Sequence, residues 1–211
     1  MSPDPSINVT ALRGRWDTPQ GREVLLMLLK HRAAGEKAGG AAGQFNGSGN
    51  ALINSETFAG PGDFIDFRGV DLSHRNLTAL EFSDEFSFAD FSGSILDGAL
   101  FSAGKFYFAN FEGAEALHQR PQFAPVYAQG ANFRNVRFKG ALFLQADLRG
   151  ADFSGAVLED CEFSGSLLQD AVFNGTRMIN CAAGSMHLLA RERTAAWFQN
   201  STFTRNYIVW D

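Results

Sequence analysis

The residues able to do chemistry are few and scattered. Cys161 and Cys181 lie 20 residues apart, a spacing that matters only if the chain itself repeats with that period. Two thiols that meet can carry redox chemistry, but cysteine is also a small hydrophobe, and packing is the reading favoured here. His31, His74, His118 and His187 have no Cys, Asp or Glu beside them at metal-ligand spacing, so ordinary surface histidines are expected. The sequence contains no G-x-S-x-G, no P-loop, no complete G-x-G-x-x-G and no H-E-x-x-H. No catalytic residue, cofactor or metal ligand is assigned.

The carboxylates are numerous, and a repeating pattern explains them. A large apolar residue recurs every fifth position at Phe133, Phe138, Phe143, Leu148, Phe153, Leu158, Phe163, Leu168, Phe173 and Met178. Two positions before each stands a small residue: Ala131, Val136, Ala141, Ala146, Ala151, Ala156, Cys161, Ser166, Ala171 and Thr176. The same unit occurs earlier in two other phases, at Phe67, Leu72, Leu77 and Phe82, then at Phe86, Phe91, Leu96, Phe101, Phe106 and Phe111. The phase slips by one residue between Phe82 and Phe86, and a longer break covers Glu115 to Gly130. Because the unit places a polar residue between the small and the large one, Asp and Glu recur by construction, which removes the main argument for an acid–base pair.

A period of five fits neither an α-helix nor a strand taken alone. Ala89-Asp90-Phe91-Ser92-Gly93, Ala109-Asn110-Phe111-Glu112-Gly113 and Ala151-Asp152-Phe153-Ser154-Gly155 resemble the A-(D/N)-(L/F)-x-x motif of the pentapeptide-repeat family, over more than half the chain. That resemblance implies an all-β solenoid, a right-handed quadrilateral parallel β-helix in which four units make one 20-residue turn. The large and small residues then point inward, the intervening polar residue points outward, and Cys161 and Cys181 stack one coil apart on one wall.

The expected organisation is an N-terminal helix with a Gly-rich lead-in over residues 1–62, then the β-helix over 63–211. Thr18 can cap a helix with Pro19 at its first position, and Val24, Leu25, Leu28 and Leu29 form an apolar face suited to covering the first coil. At the other end, the register is expected to resume at Phe198, Phe203 and Ile208 after an excursion from Met186 to Arg193 with the composition of a short capping helix. The apolar strand Tyr207, Ile208, Val209 and Trp210 either seals the last coil or joins a second chain, and a homodimer through this end is expected.

Net charge is −5, with the acidity concentrated beyond residue 60, which invites neither nucleic acid nor an anionic membrane. The absence of a signal segment and the use of two cysteines agree with a cytoplasmic protein. Well-characterised members of the resembled family bind DNA gyrase or topoisomerase IV as mimics of duplex DNA and protect it from quinolones, using loops that interrupt the coils. The corresponding features here are a loop placed at residues 119–130, carrying Arg120, Phe123, Val126 and Tyr127, and the acids Asp147, Asp152, Glu159, Asp160 and Glu162. Against mimicry, steps of 20 put Arg137, Lys139 and Arg177 on the same side as Glu159 and Asp160. Topoisomerase binding and a general protein-interaction scaffold both remain open.

Overall fold

The computed structural model describes residues 4–33, 66–186, 202–204 and 207–210. Two helices and a turn precede the solenoid: α1 (Val9–Gly14), a 3-10 turn (Arg15–Asp17) and α2 (Pro19–Ala33). Asn8 caps α1 by accepting the Ala11 N–H, and Thr18 caps α2 by accepting the Gly21 N–H at 3.0 Å, as its sequence predicts. Gly21 is needed there because a Cβ would lie 2.3 Å from the Arg15 carbonyl oxygen.

Trp16 is the plug of the solenoid. Its ring stacks on Phe67 at 5.9 Å and its indole N–H donates to the Arg68 carbonyl at 3.0 Å. Beside it, Arg15 holds both oxygens of Asp66 and the carbonyls of Asp66 and Arg68. Val24 is buried, and Leu25 and Leu29 pack partly buried against the same core, so the apolar face of α2 covers the first coil as expected. The side chain of Leu28 lies outside the described residues, as do residues 34–65. Neither α1 nor the Trp16 plug is announced by any local pattern of residues.

From Asp66 the chain winds as a four-sided, right-handed parallel solenoid. Four columns of parallel pairings run up its walls, and each pairing joins the outward residue just before a core residue to its counterpart one coil on. One column widens into five regular strands: β1 (Glu115–Ala116), β2 (Arg137–Lys139), β3 (Val157–Glu159) and β4 (Arg177–Ile179), extended across a connection by β6 (Thr202–Thr204). On the neighbouring column β5 (Ala182–Met186) pairs in parallel with β7 (Tyr207–Trp210). Phe203 faces Met178 and Ile208 faces Ala183, so the register resumes where the five-residue period predicts. Met186 ends β5; the rest of the predicted C-terminal helix lies outside the described residues.

The core is a set of ring stacks. Phe91, Phe111, Phe133, Phe153 and Phe173 form one column with centroids 4.8–5.0 Å apart. Phe82, Phe101, Phe123, Phe143 and Phe163 form the opposite one at 4.5–5.1 Å. The two columns meet edge to face, as Phe111 and Phe123 do at 84°. Stacking within a column and edge contact between columns are the two arrangements that the ring quadrupole favours. The inward hydroxyls are satisfied by the wall: Ser94, Ser166 and Thr176 each donate to a backbone carbonyl. Cys161 and Cys181 occupy the same inward position and behave alike, each donating its thiol to carbonyls of the wall.

Two irregularities interrupt the 20-residue turn. Asp66 pairs with Glu85 and Glu81 with Leu100, each 19 positions on, which is the slip predicted between Phe82 and Phe86. Leu100 pairs with Gln122 and Lys105 with Tyr127, each 22 positions on, so the third coil holds two extra residues. These bulge out at Leu117, His118, Gln119 and Arg120, all exposed. This corrects the loop expected at 119–130. Gln122 and Tyr127 belong to the walls, and Phe123 and Val126 are each only 1% exposed.

Candidate interaction surface

With a filled core, every outward side chain belongs to one of four walls. Face one is built on Asp66, Glu85, Lys105, Tyr127, Asp147 and Leu167; face two on Asp71, Asp90, Asn110, Asn132, Asp152 and Val172. Face three is built on Asn76, Ile95, Glu115, Arg137, Val157 and Arg177, and face four on Glu81, Leu100, Gln122, Leu142, Glu162 and Ala182. Neighbouring coils on a wall are about 4.8 Å apart.

This map separates the acids singled out by sequence. Asp147 lies on face one, Asp152 on face two, Glu159 and Asp160 on face three and Glu162 on face four, so the five do not form one surface. Asp147 is moreover mostly buried, gripped by Arg149 at 2.7 and 2.8 Å and by the Gln129 amide. Burial pushes its carboxyl up, but those hydrogen bonds outweigh it and hold the group below the ordinary carboxylate range. Of the expected loop residues, Arg120 and Tyr127 are exposed, whereas Phe123 and Val126 fill the core and cannot reach a partner while the coil is wound. The side chains of Tyr207, Ile208, Val209 and Trp210 lie outside the described residues.

Face two carries a polar ladder. Asp90 accepts from the Asn110 amide at 3.1 Å, and Asn110 accepts from the Asn132 amide at 2.9 Å. Each rung also closes its own corner, as when Asp152 accepts the Ser154 N–H at 2.8 Å. Asp71, Asp90, Glu112 and Asp152 stand there against Arg134. Face three is mixed: Arg137 pairs with Glu115 at 3.1 Å and Lys139 with Glu159 at 3.2 Å. The bulge is tied to this face, because Asp97 accepts the His118 backbone N–H at 2.9 Å and lies 3.0 Å from the His118 ring Nδ1.

Face one was missed in the sequence. Every aromatic side chain that points away from the core between residues 66 and 186 lies on it: Phe88, Tyr107, Phe108 and Tyr127. Phe88 and Phe108 stack at 5.6 Å although both sit at left-handed corners, φ 62° and 55°, where three other coils of this column use Gly69, Gly130 and Gly150. The ladder continues onto Gly130, whose missing Cβ would lie 2.4 Å from the Phe108 ring. Phenylalanine at such a corner costs about 1 kcal/mol or more. Burial raises the Tyr107 hydroxyl above its usual value, and the charges of Glu85 and Asp147 and the neighbouring Tyr127 add to this. The available signal was Asp66-Phe67-Arg68-Gly69 repeated as Asp147-Leu148-Arg149-Gly150, an acid and a base two positions apart on one wall.

Among the described residues no three of His, Cys, Asp and Glu converge as a metal site, and no helix is long and apolar enough to cross a membrane. The thiol of Cys161 is pushed well up by its hydrogen bond with Cys181 and by burial, while the same hydrogen bond draws the buried Cys181 thiol down.

Comparison with known proteins gives a consistent fold. The profile of the pentapeptide repeats matches in 8 copies, over residues 85–115, 129–165 and 146–181. No curated protein matches the sequence. Among solved structures, the chain is similar to trypsin-treated QnrB1, a plasmid-mediated fluoroquinolone resistance protein, at 18% identity over 65% of this chain and 89% of that one, with a TM-score of 0.40. It is also similar to a pentapeptide repeat protein of the Arabidopsis thaliana thylakoid lumen, at 25% identity over 57% and 73% of the two chains and a TM-score of 0.21. A third is the pentapeptide repeat protein Rfr23 of the cyanobacterium Cyanothece, at 16% identity over 54% and 83% and a TM-score of 0.23. The motif, the 20-residue turn and the family profile agree that residues 85–115 and 129–181 of this chain are pentapeptide repeats.

Proposed function

We propose that the chain is a non-enzymatic protein-binding β-helix that engages its partner through its walls. The observation that carries this reading is the separation of its polar residues onto four faces around a filled core. Side chains that point outward from a convex rod do not converge on a small substrate, but they do present a rigid, regularly spaced surface to another protein. The proposal includes no cofactor, no direct contact with nucleic acid and no membrane contact. It places the protein in the cytoplasm, as a homodimer joined through Tyr207, Ile208, Val209 and Trp210.

A narrower reading makes the partner DNA gyrase or topoisomerase IV. It is favoured by face two, where Asp71, Asp90, Glu112 and Asp152 outnumber Arg134. Their spacing is sparser than the one charge per about 1.7 Å of duplex DNA, so the mimicry would be partial. A gyrase supercoiling assay with and without ciprofloxacin tests it. Topoisomerase binding predicts that the purified protein restores supercoiling in the presence of the drug, and that Asp90→Asn with Asp152→Asn weakens the effect. Supercoiling unchanged by the protein under both conditions leaves a scaffold with a different partner.

A further inference from the structure

The Arg and Lys ion pairs on face one are built unlike the Arg and Lys pairs of face three. Arg68 is 40% exposed over an Asp66 that is 6% exposed, Lys105 is 36% over Glu85 at 11%, and Arg149 is 43% over Asp147 at 11%. The carboxylates lie on the floor of the wall and the cations rise above it. In the Arg and Lys pairs of face three the acids are nearly as open as the bases, with Lys139 at 50% and Glu159 at 42%; the deep acid there, Asp97, lies under the His118 ring instead. Face one therefore shows a visitor cationic tips, although its charges roughly cancel at a distance.

Those tips are held in place. The Arg149 guanidinium grips Asp147 through Nε and Nη2, and Arg68 grips Asp66 in the same way at 3.0 and 2.8 Å. A fork fixed in this manner keeps donors directed outward and has already lost the side-chain freedom that binding would otherwise remove. Arg68, Lys105 and Arg149 occupy the first, third and fifth coils, so successive tips are roughly 10 Å apart along the rod. On the same wall stand Tyr107, on the coil of Lys105, and Tyr127, one coil on and 47% exposed. Arginine beside tyrosine is the composition of an interface hot spot.

We infer that face one is a second docking surface, and that its occupant is an acidic peptide segment of a partner protein lying along the rod with carboxylates about 10 Å apart. That spacing is about one turn of an extended polyproline II segment, three residues, which sets every third side chain on the same face. The charge arrangement selects against a nucleic acid strand: faces two and four, which flank face one, carry a net excess of acids that would repel a polyanion, whereas a short peptide fits within the width of one wall. The surface is distinct from the acidic wall of the topoisomerase reading, and its test does not involve that enzyme.

The test is fluorescence anisotropy on the full chain with a fluorescein-labelled peptide carrying Glu at every third position and Leu and Gly between. Its Gln counterpart and single-stranded oligo-dT serve as the other probes. The Glu peptide should bind at least tenfold more tightly than the Gln peptide and than oligo-dT. Lys105→Gln with Arg149→Gln, and separately Tyr127→Ala, should each weaken it about tenfold, while Arg177→Gln on face three should leave it unchanged. Melting curves establish that each variant is folded; should the double variant unfold, the exposed Tyr127→Ala decides alone. Equal binding of the Glu and Gln peptides, an equal loss with Arg177→Gln, or tighter binding of oligo-dT would each overturn the proposal.

Discussion

Trp16 stacks on Phe67 at 5.9 Å and 12°, and Phe67 stacks on Phe86 at 4.8 Å and 9°, so the N-terminal cap continues the core column of the solenoid across a chain separation of 51 residues. A stacked-strand fold exposes its apolar interior at each end, and a ring placed over the first coil closes one of them. Trp16→Ala should cost about 3–5 kcal/mol, by loss of buried area, of the stack and of the indole donor to Arg68. Denaturant unfolding measures it. A change below about 1 kcal/mol would mean that the cap is not part of the cooperative unit.

Acid should loosen the same cap. Burial pushes the Asp66 carboxyl up, but hydrogen bonds from Arg15 and Arg68 outweigh it and hold it down to about 2, against 3.8 for an ordinary Asp. The folded state then binds fewer protons than the unfolded state below about pH 5. The contribution of Asp66, roughly 1–2 kcal/mol, is complete at neutral pH, fades as pH falls past 4 and is lost below 2. Melting temperature against pH should show this decline in the native chain and a shallower one in Asp66→Asn.

Core and corner should separate sharply. Phe143 is fully buried between Phe123 at 4.7 Å and Phe163 at 4.8 Å, and Phe143→Ala should cost about 3–5 kcal/mol. Asp152 accepts the Ser154 N–H at an open corner and meets the exposed Arg134 only at 4.0 Å, so Asp152→Ala should cost about 1 kcal/mol or less. The reverse order of melting temperatures would show that the inward phase has been assigned wrongly.

The bulge is an insertion and not a wall. Deleting Gln119 and Arg120 restores a 20-residue turn and requires the corner at His118 to become left-handed, so the solenoid should survive at a cost of about 1–2 kcal/mol. Deleting Arg120 to Gln129 removes Phe123 and Val126 from the core and should unfold the protein. Circular dichroism melts of the two deletions distinguish these outcomes.

The proposed homodimer makes a prediction about mass. The chain weighs 23.0 kDa, and sedimentation equilibrium at micromolar concentration should give twice that value. Tyr207→Asp with Val209→Asp should return it to the single-chain mass. A single-chain mass for the native protein would remove the dimer, and with it the fit to a two-fold symmetric target.

The five-residue period, the one-residue slip after Phe82, the cap of α2 at Thr18 and the return of the register at Phe203 and Ile208 are all local facts of spacing, and the sequence alone determined them. A repeat carries its fold in its period, because each unit meets the same neighbours as the last. The third coil was misread for an equally local reason. After the insertion the register had already resumed at Phe123, but Ala128 occupies the next core position where a large residue is expected, so two wall units looked like loop. The Trp16 plug and the outer face of Tyr107, Tyr127, Lys105 and Arg149 were decided only by the tertiary structure. Trp16 meets Phe67 across 51 positions, and successive members of face one lie 19, 20 or 22 residues apart, separations at which nothing in the spacing says which side chains stand over the floor and which lie in it. That depth is set by how each fork grips its carboxylate against the wall, a property of packed side chains in three dimensions.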